Sequence, residues 1–250
     1  MRLAAVAAPL VFLALSPRAG AAQQVEGVLT IKSVNLTSDI VADRTGEEAI
    51  SDAGREKLFA LTLDQVVALA GSSQDNVMHV KGGRMRTASF DMPGLGAAYM
   101  LLDPAAGTLR TVAPARRGYY EASLRDHGAA QPDEEEPMHV EPLGRTQVIN
   151  GLRCTGYRVT RGDQIMRVWT TDDAALREMV TNQLRLAGEE SDAARSSLAM
   201  LARYGAPVMT QTFDEEGNYS VEVWSFERRS LPDSLFTIPA GFTKLRTPGN

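Results

Sequence analysis

Three histidines, His79, His127 and His139, are where chemistry could start, and two of them follow methionine as Met78-His79 and Met138-His139. Thioether and imidazole groups are donors that copper accepts in an oxidising compartment. Two such dipeptides arise easily by chance in a chain with 10 methionines, and Met78 suits the core side of a strand, so no metal site is expected. The sequence holds no Gly-x-Ser-x-Gly elbow, His-Glu-x-x-His helix, phosphate-binding glycine loop or paired-cysteine metal site. Neither catalysis nor a cofactor is therefore expected. The run Asp133-Glu134-Glu135-Glu136 between Pro132 and Pro137 lacks the alternating ligands and central glycine of a calcium loop. Such a composition repels itself and predicts a mobile, solvated loop over 121–142. Cys154 is the single cysteine, so no internal disulfide can form, and a buried, inert thiol is expected.

The N-terminus reads as an export signal. Arg2 supplies the positive start, Leu3 to Leu15 the apolar stretch, Pro17 a break, and Ala19-Gly20-Ala21-Ala22 the small residues that a signal peptidase needs. A signal over residues 1–22 predicts a periplasmic or secreted protein beginning near Ala22 or Gln23, with one domain over 23–250. With Cys154 far from the cleavage point, no lipoprotein is expected, and no later stretch approaches the roughly 20 apolar residues that span a bilayer. Removing Arg2 and Arg18 takes the formal charge from −5 to −7. That balance argues against a nucleic-acid partner, because the one basic cluster, Lys81, Arg84 and Arg86, sits beside a glycine turn and is no dense basic face.

The chain consists mostly of short alternating strands. Val25 to Leu36 is rich in Val, Ile, Leu and Thr and predicts a long first strand, whereas the charged, small residues of 42–55 predict a loop. Thr62-Leu63-Asp64-Gln65 is a capping-box pattern ahead of Val66, Val67 and Leu69, so a short helix should run to Gly71. Hairpins are predicted for Val77–Val80 with Arg84–Phe90, and for Tyr99–Asp103 with Thr108–Ala113. Three strands should follow, over 146–149, 152–160 and 164–170, turned by Asn150-Gly151 and Gly162-Asp163. Asp172 or Asp173 could cap a helix carrying Leu176, Met179, Val180 and Leu184, and a second helical segment should carry Ala194, Leu198 and Leu201. Val208–Phe213 and Tyr219–Phe226 supply two further strands.

Apolar side chains fall on both faces of Gln164–Trp169 and Tyr219–Phe226, where a sheet with one solvated face would alternate cleanly. Helices or a ligand should cover the second face. Leu101, Ile165, Trp169, Val223, Trp224 and Phe226 are the candidate cavity-lining residues, because wide apolar side chains on strands are what an acyl chain would touch.

Gly144 to Val159, followed by Val168-Trp169-Thr170 and by the ending Leu231-Pro232-Asp233-Ser234-Leu235-Phe236, resembles a domain-of-unknown-function family of exported bacterial proteins. Lys81-Gly82-Gly83-Arg84 and Tyr99-Met100-Leu101-Leu102-Asp103 fit the same resemblance, which covers most of Val25 to Phe242. Those proteins look like relatives of the LolA/LolB periplasmic lipoprotein carriers. The resemblance implies an α+β fold, a curved antiparallel sheet or incomplete β-barrel packed on helices, whose concave side can hold acyl chains. It transfers no binding residue, and the acidic insertion at 121–142 departs from the pattern. The expected function is a non-enzymatic binding protein holding a lipid or a lipidated partner. The alternative is a partner-binding cell-envelope protein with a closed core and no lipid.

Overall fold

The computed structural model describes residues 25–46, 51–124, 138–186, 200 and 202–246. The expected export signal, the acidic run 133–136 and the segment carrying Ala194, Leu198 and Leu201 lie outside those residues. Within them are strands β1 (Glu26–Leu36), β2 (Gln74–Lys81), β3 (Arg84–Thr87), β4 (Phe90–Met92), β5 (Gly96–Asp103), β6 (Thr108–Ala113) and β7 (Gly118–Ser123). After the acidic segment come β8 (His139–Ile149), β9 (Leu152–Arg161), β10 (Gln164–Thr171), β11 (Ala206–Phe213), β12 (Tyr219–Arg228) and β13 (Thr243–Lys244). Helices α1 (Ser38–Thr45), α2 (Asp52–Phe59) and α3 (Leu63–Ala70) lie between β1 and β2, and α4 (Ala174–Leu186) lies between β10 and β11.

These strands form one sheet in the order β13-β7-β6-β5-β3-β2-β1-β12-β11-β10-β9-β8, with β4 paired to β5 off that path. Every pairing is antiparallel except β13 with β7. An open twisted sheet rarely exceeds about ten strands without curling, and this one curls without closing. The fold is the expected α+β arrangement, a curved antiparallel sheet packed on helices.

Local chemistry explains where the chain turns. Asn150 and Gly151 both take positive φ, 50° and 79°, the requirement of a two-residue hairpin whose twist matches its strands. Thr62 accepts from the Gln65 backbone N–H while the Gln65 side chain accepts from Thr62 N–H, closing the capping box. Thr62→Ala removes one arm of the box and should cost about 1 kcal/mol of unfolding free energy, read from urea melts followed by circular dichroism. Asp173 is the cap of α4, its Oδ1 accepting from the backbone of Ala175 and Leu176 at 3.0 Å each.

Three expectations are corrected. Where a loop is expected over 42–55, residues 42–45 are the second half of α1 and 52–55 the first half of α2, while 47–50 lie outside the described residues. These helices bury little, Val41 in α1 and Gly54, Leu58 and Phe59 in α2, so the apolar stripe that would announce them in sequence is thin. The strand expected over Arg84–Phe90 is broken after Thr87, and its second part joins a further hairpin through Pro93-Gly94. The loop expected over 121–142 is strand at both ends, in β7 and β8. Its composition is polar there because β8 is an edge strand. An edge also tolerates Pro142, where the register shifts between Pro142 and Thr146.

Candidate functional site

Cross-strand register builds one apolar ladder across the middle of the sheet. Leu109 faces Leu102, Leu102 faces Met85, and Met85 faces Val80. Two residues along, Met78 faces Leu29 and Leu29 faces Phe226, while Ile31 faces Trp224. Since side chains alternate across a strand, these residues share one face of β6, β5, β3, β2, β1 and β12. Leu29, Val80, Met85 and Leu102 are buried, whereas Ile31, Met78, Leu109, Trp224 and Phe226 are half-buried against them. The same cluster takes in Leu176, Met179 and Val180 of α4 with Cys154, Trp169 and Val208. A contiguous cluster reaching from β6 to β9 is what the curl of the sheet makes possible.

Glycines seat two of the aromatic rings. A Cβ on Gly27 would stand 2.7 Å from Phe226 Cζ, and one on Gly156 would stand 2.8 Å from Trp169 Cζ3. The Trp169 indole Nε1 is buried with no hydrogen-bond partner. The Arg145 guanidinium stands 5.9 Å from the Trp169 ring.

The opposite face of β1, β12 and β11 is a closed core. Val34, Leu36, Phe213, Tyr219, Val221 and Val223 pack there with Val41, Leu58, Phe59 and Val66 from α1, α2 and α3. Most of its polar atoms are partnered, though Gln211 Oε1 is buried without a hydrogen-bond partner. Gln211 Nε2 donates to Tyr219 Oη at 2.8 Å and to Phe59 O at 3.2 Å, and Tyr219 Oη donates to Leu58 O at 3.2 Å. Burial drives the Tyr219 phenol far above its ordinary range. Buried Arg167 stacks on Phe59 at 4.3 Å and donates through Nη2 to both Glu56 oxygens, at 2.6 and 2.8 Å. These contacts order a core.

The six candidate lining residues separate into three clusters. Trp169, Trp224 and Phe226 belong to the ladder's cluster, Ile165 and Val223 face the helices α1 to α3, and buried Leu101 packs with Tyr99 and Val112 beside Ile238 and Phe242. Alternation explains the split, because neighbours on one strand, such as Val223 and Trp224, point to opposite faces. The ladder members that sequence reasoning missed are Leu29, Ile31, Met78, Val80, Met85, Leu102 and Leu109. The alternation of Leu29 and Ile31 with Thr30 and Lys32 was a signal for β1, but aligning five other strands needed the register.

Reactive groups are placed away from one another. Met78 is in the ladder, and His79, the next residue of β2, pairs with Val28 on the other face, so the dipeptide cannot present both donors to one ion. Among the described residues no group of three or more His, Cys, Asp or Glu could hold a metal ion. His139 contacts Glu141 at 3.2 Å, and His127 lies outside the described residues. Cys154 is buried and burial pushes its thiol upward, as expected of an inert cysteine. Burial, then the charges of Arg86 and Arg229, hold the His79 imidazole below its ordinary 6.5, and the Arg86 backbone opposes them. Its folded form therefore resists protonation more than the unfolded chain does. The stability this contributes is complete above about pH 6.5 and drains away as pH falls from there through the depressed folded value. His79→Asn should flatten that part of the pH dependence, measured as the shift of the urea midpoint between pH 7.5 and pH 5.5.

The fold and site define an α+β protein with a curled, unclosed antiparallel sheet, one face carrying the apolar ladder with α4 packed against its cluster and the other packed on α1 to α3. The chain belongs to the family described as Domain of unknown function (DUF4412), whose profile matches residues 60–242. No curated protein matches it. Among solved structures it is similar to one of PNGF-II in the C2 space group, at 12% identity and a TM-score of 0.33, covering 88% of this chain and 31% of that one. The chain thus spans about a third of that structure's length. It is also similar to the LolA superfamily protein NE2245 from Nitrosomonas europaea, at 11% identity and a TM-score of 0.29, covering 86% and 91% of the two chains.

Proposed function

We propose that this is a non-enzymatic binding protein, exported to the periplasm or beyond, that holds a lipid or the acyl part of a lipidated partner. The observation that carries the reading is the ladder itself. Ile31, Met78, Leu109, Trp224 and Phe226 are large, apolar, only half-buried and gathered on one curled face, which is the lining a hydrocarbon chain needs. The N-terminal residues that read as an export signal, this chain's resemblance to a family of exported bacterial proteins and the scattered placement of the reactive groups support the same reading. No helix among the described residues is long and apolar enough to cross a membrane.

Native mass spectrometry followed by organic extraction tests it, on protein expressed with its N-terminal segment and purified from the periplasm without detergent. A lipid at one per chain is the expected result. A bare protein mass, with no uptake of added acyl ligands, would sink the carrier reading. A competing reading is then favoured by Val148, which is 72% exposed on the edge strand β8. An apolar side chain on an open strand edge is where a protein partner would add its own strand.

A further inference from the structure

The ladder's face continues into a cleft that can read a charge. Thr111 faces Tyr120 across β6 and β7, two residues along from Leu109 on the same side of the sheet. At that end of the sheet a cleft of about 470 Å³ is lined by Met92 and Leu95 of the β4–β5 hairpin, by Thr111 and Tyr120, and by Arg116 of the short turn before β7. Its volume falls within the range of small-molecule sites, about 300–1,000 Å³. Arg116 Nη2 donates to the Gly94 carbonyl, which fixes the arm over the hairpin tip. That bond uses one of the five N–H donors of a guanidinium. Among the described residues no carboxylate pairs with Arg116.

The geometry points to a headgroup subsite: the cleft takes the acidic head of a single-chain amphiphile, and the chain continues past half-buried Leu109. This rests on the carrier reading and adds a ligand class to it. Charge complementarity commits the choice. An arginine with no carboxylate partner among the described residues, beside a phenol and a threonine hydroxyl, suits a carboxylate, which a guanidinium binds through two parallel hydrogen bonds, whereas an uncharged head would gain far less. From Thr111 to Leu109 the path along β6 is about 7 Å. Met92 and Leu95 supply apolar contact next to the head, so the ligand would leave water as it enters.

The test uses the protein as purified, titrated by calorimetry with decanoate, with decan-1-ol and with acetate, and repeated for Arg116→Gln. Decanoate is expected to bind about tenfold more tightly than decan-1-ol, acetate not to bind measurably, and Arg116→Gln to bring decanoate down to the affinity of the alcohol. Arg116 is exposed, so its replacement should leave the fold intact, which the unchanged affinity for decan-1-ol would verify. Equal affinities for the two chains, unaltered by Arg116→Gln, overturn the headgroup subsite and leave the carrier reading standing. No binding of either chain overturns both.

Discussion

Replacing Gly27 by valine is expected to lower the unfolding free energy by about 3 kcal/mol or more. Gly27 lies on β1, between β2 and β12, paired with Val80 on one side and Arg228 on the other. A Cβ there would stand 2.2 Å from the Glu227 carbonyl oxygen and 2.7 and 2.8 Å from two atoms of the Phe226 ring. The ring could swing aside, but the carbonyl belongs to the β12 backbone and moves only if the two strands part. Single domains are stable by only about 5–15 kcal/mol, so such a loss is a large fraction of the whole. Urea unfolding should show a lower midpoint with an unchanged slope. Gly46→Ala provides the contrast. Its φ of 75° disfavours a side chain, yet nothing stands within 4 Å of the added Cβ, so the penalty should stay near about 1 kcal/mol. Equal losses at the two glycines would show that close packing of β1 on β12 is not what Gly27 serves.

The second large effect is expected on binding. Trp224→Glu should reduce acyl-chain affinity by two orders of magnitude or more, while Trp224→Leu should change it by less than tenfold. Trp224 is half-buried in the ladder, directly across from Ile31. A carboxylate at that point must either be stripped of water by the arriving chain or hold water in the contact. Burying an unpaired charge costs several kcal/mol after relaxation, and each 1.4 kcal/mol is tenfold in affinity. Leucine keeps the surface apolar and loses only contact area. The fold should tolerate both changes, because the backbone carbonyl of Trp224, which accepts from Asn150 Nδ2 at 3.0 Å, remains in place. Binding of the copurifying lipid by the folded Trp224→Glu variant at the parent affinity would place the ligand elsewhere.

Breaking the closed side of the sheet should behave differently. Gln211, Tyr219, Arg167 and Glu56 hold one another and the α2 backbone, so their replacement is expected to cost stability without changing which ligand is preferred. Glu56→Gln keeps an oxygen that can accept from Arg167 but removes the charge facing a guanidinium whose side chain is only 7% exposed, so it should cost about 2 kcal/mol.

The sequence by itself determined most of the local structure. Asn150-Gly151 set one hairpin, Thr62 through Gln65 started α3, and alternation in Val25–Leu36 and Tyr219–Phe226 marked two strands, because each signal lies within a few residues of chain. It also placed Cys154 in the interior. What the tertiary structure decided is which strands are neighbours, and therefore which side chains meet. Phe226, Leu29 and Met78 share a rung although they lie far apart in the chain, and Val223 and Trp224 part company although they are adjacent. Helices α1 and α2 escaped notice for a related reason: each is held by one to three buried residues that count only once a sheet is there to receive them. Alternation says that a strand has two faces, but only the pairing register says what each face will look upon.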